Sequence, residues 1–588
     1  MNPPLTQDTD FGDGFGDDVA DAFGNAVGDT HEVLNQAEPI GDYDPWARDL
    51  ALQEAVERYD ALWAAPQIQE LAVLAGRADI RRLGDLANRH TPELQTHDRF
   101  GRRIDQVSFH PAWHQLMRIG VEAEIHSLPW RKSSSRSGPS GAHLARIAKH
   151  YLFSQTEAGI HCPLTMTFAS VPALQHEPSL AETWIPRITR NVYDPRPIPA
   201  QDKDGVLIGM AMTEKQGGSD VRANTTRALK QRDGSYKLLG HKWFCSAPMC
   251  DAFLTLAQTE AGLTCFLVPR LRPDGTHANL HNGIHIQRLK DKLGNRSNAS
   301  SEIEYRGSMA WRVGAEGRGI ATILDMVAHT RLDCVSGSAA MMRRALTQAL
   351  HHTTHRHAFG KPLREQPLMR SVLADLALES EAATVLMARL AASYDRAQAG
   401  DDVAKAFGRI ATAVGKYWVC KRGIAMVGEA MECLGGNGYV EEAIMPRLYR
   451  EMPVNSTWEG SGNVMCLDVL RALGRNPETA DALLAELDAA QGLDSRYDQS
   501  LARLKSLMAR MHTSPDSAQA VARFLVEQTA LLLQAGLLLR HSPDFVAEAF
   551  LSARLTPNRG LCFGALDPEH LPDPSSIENL LQRAWPAP

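Results

Sequence analysis

The chain has 588 residues, 44% of them hydrophobic and 22% charged, which are the proportions of an average soluble globular protein. These values exclude a disordered, a collagen-like and a transmembrane chain. The longest apolar run near the C-terminus, residues 530–539, is shorter than the ~20 residues that cross a bilayer, so we expect no membrane partner. Nine cysteines without a C-x-x-C pair, and a start without a basic and apolar leader, predict a cytoplasmic protein.

The net charge of −7 is unevenly distributed along the chain. Residues 1–44 hold eleven acidic residues and no Lys or Arg, and residues 479–588 hold thirteen acidic and nine basic residues. The segment between them is therefore net positive. For this reason the whole-chain charge says little about whether the folded body attracts anions.

The first two of five predicted segments are a tail and a helical domain. Residues 1–43 form an acidic tail, disordered or loosely docked, because little apolar surface offsets the entropy cost of ordering it. Residues 44–204 form an N-terminal helical domain, in which Asp44 caps the first helix and Pro45 suits its first turn. One polar, basic loop at 131–141 interrupts the helical pattern.

The other three segments are a β-domain at 205–312, a helical bundle domain at 313–475 and a C-terminal helical extension at 476–588. The β-domain contains Asp233-Gly234, a strong hairpin signal. Its predicted strands are residues 206–212, 225–230, 236–244, 252–257, 264–268 and 283–289. The predicted bundle helices are residues 320–356, 367–398, 403–434 and 461–473. The fold class is therefore mostly α with a central β-domain.

Two motifs at strand ends suit a flat or phosphorylated ligand. Residues 212–221 (MTEKQGGSDV) place the hydroxyl groups of Thr213 and Ser219 beside two glycines that allow close approach to the backbone. Residues 241–246 (HKWFCS) place Phe244 where it can lie against an aromatic ring and Ser246 where it can donate to it. An ordinary surface turn and a half-buried strand with core aromatics are the alternatives.

The helical regions carry three further motifs. Residues 356–360 (RHAFG) place an arginine, the natural partner of a pyrophosphate, at the end of a long helix, where contact with the last carbonyl groups is the alternative. Residues 434–439 (LGGNGY) form a Gly-rich helix end. His351 and His355 are spaced for a shared metal but lack a third ligand, so we predict no metal site.

Residues 455–463 (NSTWEGSGN) are expected to open the following helix. Glu459 lies beside Trp458 on a Gly-flexed turn, where an apolar environment can raise the pKa of its carboxyl group and make it a general base near pH 7. An exposed loop glutamate is the alternative.

Taken in order, these five motifs resemble those of the acyl-CoA dehydrogenase family over about residues 45–475. The family patterns are T-E-x-x-x-G-S-D, a K-x-W-I-T-type hairpin end, R-x-x-F-G, L-G-G-N-G-[FY] and [YW]-E-G-[ST]. Within the family, the chain looks most like a branch of alkylation-response flavoproteins. The phrases TEKQGGSDV, GHKWF, RLKDKLGNRSNAS, RHAFGKPL, RLYREMPVNS and WEGSGNVMCLDVLR carry this likeness, as does the helical extension beyond 475.

The resemblance implies an α domain, a β-domain and a four-helix domain, here with an extra C-terminal helical domain, assembled as a homotetramer. It implies FAD bound between the β-domain and the bundle, with help from a neighbouring subunit. The cofactor-binding residues implied are Met212, Thr213, Gly218, Ser219, Phe244, Cys245, Ser246, Trp458, Gly460, Ser461 and Asn463. Those implied across the subunit interface are Arg356 and Phe359, with Gly435 and Gly436 approaching the same part of FAD.

By the same resemblance, Glu459 is the catalytic base that removes an α-proton from a CoA thioester, and Arg331 lies near it. Lys215-Gln216-Gly217 and Phe244-Cys-Ser-Ala247 replace the usual P-G-A and W-I-T-N of many members. We expect these changes to affect acyl-CoA turnover more than FAD binding.

For the alkylation-response branch, the resemblance implies that duplex DNA is bound, independently of sequence, through the C-terminal extension and protected from alkylation. It also implies that the acyl-CoA dehydrogenase activity is weak or vestigial, or serves an unknown substrate. Arg496, Arg503 and Arg510 lie seven residues apart on a predicted amphipathic helix and form a stripe about 21 Å long. A solvated helix face is the alternative reading of the stripe. The alternative function is an acyl-CoA dehydrogenase of CoA-thioester catabolism without DNA binding.

Overall fold

The computed structural model describes residues 33–131, 140–275, 280–511, 515–558, 560–567, 569 and 572–586. Most of the predicted tail and of the predicted loop at 131–141 lies outside these residues. The described end of the tail is docked on the body. The side-chain amide of Asn35 donates to the His357 carbonyl oxygen at 2.9 Å and accepts from the His357 N–H at 2.7 Å. The Asp42 carboxylate accepts from the Ala78 N–H at 2.7 Å.

The N-terminal part of the described chain is mainly helical. Asp49 begins the first helix, because its carboxylate accepts the Leu52 N–H at 3.1 Å, whereas the predicted cap Asp44 closes the preceding turn. The helices are α1 (Leu50–Arg58), α2 (Ala65–Gly76), α3 (Ala78–Arg89), α4 (Pro111–Glu122), α5 (Ala142–Ser154), α6 (His161–Leu174) and α7 (Pro178–Ile188).

A hairpin of β1 (Glu93–His97) and β2 (Arg103–Ser108) interrupts these helices. The prediction of a continuous helical pattern is wrong here. The Asp98 carboxylate accepts the N–H groups of Phe100 and Arg102 at 2.8 and 2.9 Å, and Gly101 has φ +79°. This local turn reverses the chain and pairs the two strands.

The central β-domain is a twisted sheet that closes on itself. Its strands are β3 (Ile208–Ala211), β4 (Arg227–Lys230), β5 (Tyr236–Ser246), β6 (Ala252–Thr259), β7 (Gly262–Pro269), β8 (Ile284–Leu289) and β9 (Ser300–Val313). The path β6–β4–β5–β9–β7 returns to β6, because β6 pairs antiparallel with β7. All six predicted strands are present.

The longest strand of this domain, β9, is not among the predicted ones. It pairs with β5, β7 and β8 and so holds the barrel together. Charged residues fill much of its outward face, and a register shift near Arg306 breaks the alternation by which a strand is recognised.

The bundle follows the barrel. The four predicted helices are confirmed as α8 (Gly319–His355), α9 (Pro367–Gln398), α10 (Asp402–Glu432) and α13 (Gly462–Arg475). Between the last two lie a short α11 (Gly436–Tyr439) and α12 (Met445–Thr457), which the sequence did not predict as helices. Residues 455–457 consequently end a helix rather than open one.

The C-terminal extension packs against this bundle. Its helices are α14 (Pro477–Asp488), α15 (Ser495–Met511), α16 (Pro515–His541), α17 (Asp544–Arg554) and α18 (Pro574–Ala584). Buried side chains of the extension and of the bundle form one continuous apolar cluster. Within it the Trp418 indole N–H donates to Gln534 Oε1 at 2.9 Å. Residues 517–541 of α16 are long and apolar enough to cross a membrane, but 72% of the apolar 18-residue window within them is buried inside the protein, as in a core helix.

Candidate active site

A cavity of about 1490 Å³ opens where α5, α6, the barrel, α8 and the turn between α12 and α13 meet. It is larger than the ~300–1,000 Å³ of an ordinary ligand pocket, so it has room for a cofactor and a substrate together. Ten of the residues proposed from sequence as cofactor-binding or catalytic line it. They are Met212, Thr213, Gly218, Ser219, Phe244, Ser246, Trp458, Glu459, Gly460 and Ser461.

Glu459 lies on the cavity wall in the turn between α12 and α13. Its φ is +56°, in the left-handed region that residues with a side chain seldom adopt. Lys416 stabilises this turn by donating to the carbonyl oxygens of Trp458, at 2.7 Å, and of Gly460. Arg331 Nε donates to the carbonyl oxygen of Glu459 itself at 3.0 Å. The unusual backbone is thus fixed by hydrogen bonds to three successive carbonyl groups.

The carboxylate of Glu459 has the environment of a general base. Thr330 Oγ1 donates to Glu459 Oε2 at 2.8 Å and fixes the direction of the side chain. Burial raises the pKa of Glu459, and the Thr330 hydrogen bond and the charges of Arg331 and Lys416 only partly oppose this rise. A carboxylate whose pKa is raised towards neutrality takes up a proton more readily than an exposed one.

Arg331 belongs to an ion network around the buried Asp468 and does not pair with the carboxylate of the base. Arg331 Nη1 donates to Asp468 Oδ2 at 2.7 Å, and Arg409 Nη2 donates to Asp468 Oδ1 at 2.8 Å. Although burial opposes it, these two arginines lower the pKa of Asp468. The predicted closeness of Arg331 to Glu459 therefore comes through the backbone, and Asp468 fixes the guanidinium in place.

In residues 212–221, Thr213 lines the cavity, whereas Glu214 stabilises the structure of the loop. Glu214 is fully buried, and Lys242 Nζ donates to its Oε1 at 2.9 Å. Its other bonds come from the backbone and hydroxyl groups of Thr225 and Thr226, and these partners lower the pKa of Glu214 although burial opposes them. Glu214 therefore ties the Gly-rich loop to the barrel, a role that the motif alone does not reveal.

Two residues proposed as cofactor ligands do not reach the cavity. Phe244 and Ser246 line it, so the alternation of β5 turns the intervening Cys245 into the barrel core, where it is fully buried. Asn463 is exposed on the first turn of α13 and accepts from Arg523 Nε at 2.9 Å. The prediction that these two side chains contact the cofactor of the same subunit is wrong.

Three family models match successive stretches of the chain. They describe the adaptive response protein AidB N-terminal domain at residues 35–195, the acyl-CoA dehydrogenase middle domain at 209–307 and the acyl-CoA dehydrogenase C-terminal domain at 317–474. The AidB protein of Escherichia coli strain K12 is 46% identical over 533 residues, which cover 90% of this chain and 96% of that protein.

The chain belongs to the acyl-CoA dehydrogenase family, in the AidB branch. Members of this family bind FAD, and the chain is an FAD-dependent oxidoreductase of the acyl-CoA dehydrogenase type. The acyl-CoA dehydrogenase family member 11 of Caenorhabditis elegans is 31% identical, over 79% of this chain and 78% of that protein. The crystal structure of C. elegans ACDH-11 in complex with C11-CoA aligns with a TM-score of 0.79 at 26% identity, covering 95% of this chain and 93% of that one.

The cavity of this acyl-CoA dehydrogenase fits a flavin. A Cβ at Gly218 would lie 2.4 Å from Thr213 Oγ1, so glycine is needed for the tight loop that brings Thr213 and Ser219 to the cavity. Phe244, with 49% of its surface exposed, presents an aromatic ring on the same wall as Ser246. Hydroxyl donors, a ring face and close backbone approach are what a planar, phosphorylated cofactor requires.

The remaining predicted residues lie away from this cavity, on two exposed loops. Arg356 follows the end of α8 and donates through Nη1 to the Asn35 carbonyl oxygen, while Phe359 is 96% exposed. A Cβ built on Gly435 or Gly436 would meet nothing within 4 Å. These four residues do not line the cavity of their own subunit, and their expected role in the FAD site of a neighbouring one stays a prediction.

Sequence reasoning missed Thr330, Lys416 and Asp468, which fix the base and its arginine. Each comes from a helix, 42 to 137 residues from its partner in the chain. In the sequence, each of the three is marked only as a polar residue on the buried face of a helix.

Proposed function

We propose that this chain oxidises a CoA thioester, with Glu459 as the base that removes the α-proton and FAD as the hydride acceptor. The observation that carries the proposal is the Glu459 carboxylate on the cavity wall, oriented by Thr330 and with a raised pKa. A turn fixed by Lys416 and Arg331 keeps the carboxylate in one place during the reaction. The C. elegans relative solved with C11-CoA supports a thioester as substrate.

The test is Glu459→Gln in the FAD-loaded protein. Glutamine is nearly isosteric and accepts the Thr330 hydrogen bond but not a proton. We expect the flavin to stay bound and its reduction by acyl-CoA to slow by ~10²–10⁴-fold, the typical contribution of a general base. Undiminished reduction would assign the base to another residue.

We further propose a homotetramer in which Arg356 and Gly435 contact the adenine–diphosphate half of the neighbour's FAD. Large apolar side chains are exposed on and near the same loops, Phe359 at 96%, Leu368 at 86% and Tyr439 at 77%, as expected of an interface between copies. Sedimentation of the wild type and of Phe359→Asp tests this, since the variant should form smaller species and release FAD. A wild-type monomer that retains FAD would contradict it.

A second proposed function is duplex DNA binding that protects DNA from alkylation. The match to the N-terminal domain of an adaptive response protein supports it. The predicted stripe needs a correction, because Arg496 forms ion pairs with Asp494 at 2.7 Å and with Glu548 at 2.5 Å. Two nearby carboxylates remove most of the attraction of this arginine for phosphate, whereas Arg503 is exposed.

Arginines at the cavity mouth are the better candidates for backbone phosphates. Arg222, Arg318, Arg471 and Arg475 are exposed there, and none forms an ion pair within the described part of the chain. The test is a titration of duplex binding against salt. The slope of log affinity against log salt concentration should be smaller in magnitude by about 1.8 in the Arg471→Ala, Arg475→Ala double variant than in the wild type, since each phosphate contact contributes about 0.9.

Arg496→Ala is the matched control and should leave that slope unchanged. Equal slopes for all variants would remove the mouth from the DNA proposal. Methylation of a bound duplex should also be slower than that of free duplex, and equal rates would contradict protection.

A further inference from the structure

The inner end of the cavity can be placed along α8. Thr330, Asp333, Cys334 and Gly337 of this helix all line the cavity, and their spacing puts them on one helix face. Thr330 contacts the base, and Gly337 lies seven residues further, about 10 Å along the helix axis. A chain bound at Glu459 and directed inward would thus run along this face towards Gly337.

Gly337 is bordered by two buried polar side chains. A Cβ built on Gly337 would lie 3.5 Å from Asn455 Nδ2 and 4.0 Å from His150 Cε1. His150 is 2% exposed and Asn455 is 6% exposed, and both line the cavity. His161, on the facing helix α6, packs its ring against that of His150 with the ring centres 4.4 Å apart. The end of the cavity that would receive an acyl chain is therefore polar.

Several polar groups at this end have no partner in the protein. Neither ring nitrogen of His161 makes a hydrogen bond of good geometry with a described residue, although the backbone of Phe153 is near enough to act on its pKa; the residue is 5% exposed and lines the cavity. Ser154 Oγ, 2% exposed at residue level and also in the lining, is unpartnered in the same way. His150 Nε2 is 3.8 Å from Asp333 Oδ2, too far for a hydrogen bond. Buried polar groups are destabilising unless a partner binds them, and a plain alkyl chain offers none.

The charges at this end cancel. Arg146 donates to both oxygens of Asp333, and burial lowers the pKa of His150 and of His161 well below the ordinary value, so both rings are neutral at pH 7. Lys292 also lines the cavity but donates to Asn298 O and Ser300 Oγ.

The nearby Glu451 is likewise occupied, because it accepts two hydrogen bonds from Asn295. Lys292 and Glu451 carry charges of opposite sign that act on each other, as do Arg146 and Asp333, so the described residues at this end have no excess of one charge to favour a carboxylate or an ammonium group.

We propose that the inner end of the cavity binds a neutral hydrogen-bonding group, a hydroxyl or a ketone, carried by the acyl chain several carbons beyond the thioester. The inference rests on the proposed oxidation of a CoA thioester and adds the class of acyl group. The unpartnered side chains of His161 and Ser154 supply donors and acceptors to that group. A 180° turn of the His161 ring exchanges its carbon and nitrogen positions without displacing the helix.

The test separates binding from chemistry. FAD-loaded Glu459→Gln protein is titrated, by the shift of its flavin spectrum, with octanoyl-CoA and with hydroxyoctanoyl-CoA isomers bearing the hydroxyl on the fifth to the eighth carbon. We expect at least one isomer to bind about tenfold more tightly than octanoyl-CoA, the effect of one well-formed hydrogen bond. Adding His161→Leu should abolish this preference, and adding His161→Gln should keep part of it.

Protein stability gives a second readout. If the role of His161 were merely structural, replacing it would lower the unfolding temperature. Since His161 makes no well-formed hydrogen bond with the described residues, His161→Leu is expected to leave the unfolding temperature unchanged or higher. Equal affinity for octanoyl-CoA and every hydroxylated isomer would overturn the inference while leaving thioester oxidation intact. Failure of every thioester to bind would overturn both.

Discussion

Lys416 offers a sharp test of how the catalytic turn is held. Its side chain is 1% exposed and donates to the carbonyl oxygens on both sides of Glu459. Lys416→Met keeps the length of the side chain but removes two charge-assisted hydrogen bonds, each contributing about 1.5–3 kcal/mol. The conformation of the turn should be destabilised by up to about 3–6 kcal/mol, and by less where water in the cavity replaces the lost hydrogen bonds. Flavin reduction by acyl-CoA should therefore slow.

The same substitution has a predicted pH signature. The charge of Lys416 lowers the pKa of Glu459, so its removal leaves burial less opposed and the pKa rises further. Because only ionised Glu459 accepts a proton, the acid limb of the rate profile should move to higher pH. At a fixed pH on that limb, the rate should fall tenfold for each unit by which the pKa of Glu459 rises. The assay is stopped-flow bleaching of the flavin across pH, with exposed Lys405→Met on the same helix as control. An acid limb that stays in place or moves to lower pH would refute the reasoning.

The remaining predictions concern the cofactor and the barrel. Arg356→Ala should lose FAD during gel filtration, since a charge-assisted contact contributes about 1.5–3 kcal/mol; full retention would contradict its proposed role. Gly218→Ala should weaken FAD binding, measured by flavin fluorescence, because the added Cβ falls 2.4 Å from Thr213 Oγ1. Glu214→Gln should destabilise the protein at pH 7 by about 3–5 kcal/mol, because buried Lys242 loses its counter-charge. Since the pKa of Glu214 is lowered from 4.5, its contribution is complete above that pH and is lost as pH falls, so denaturation curves of wild type and variant should converge in acid.

The sequence predicted the parts of the site that are contiguous in the chain. Residues 212–221, 241–246 and 458–461 each lie on one strand end or turn, so a motif read along the chain is also a cluster in space. The residues that fix Glu459 were missed because helix packing, not local pattern, brings them there. Thr330 is 129 residues from Glu459 in the chain, and nothing near it marks it as a partner.

The arginine stripe shows a different limit, in which a correct local pattern describes only part of the surface. The prediction of a helix was right, and Leu501 and Leu504 face inward at 2% exposure each. The stripe is weakened at Arg496, because Glu548, 52 residues further along the chain, reaches this arginine from α17. Helical spacing shows which residues share a face, but it does not show what another helix brings to that face.

The charges along the cavity set the direction in which a CoA thioester would bind. At the mouth, Arg318 and Arg475 are exposed without an ion-pair partner in the described chain, so the phosphate groups of CoA are attracted there. Further in, Asp468 forms ion pairs with both Arg331 and Arg409 and offsets one of their two positive charges, so these arginines attract phosphates less than the unpaired arginines of the mouth do.

At the inner end, the pair of Arg146 and Asp333 and the neutral rings of His150 and His161 favour an uncharged group. Under the two proposals, a thioester entering with its acyl chain first would be held by its phosphates at the mouth and by its distal polar group at the inner end. In that orientation its α-carbon lies between the two ends, where the turn presents Glu459.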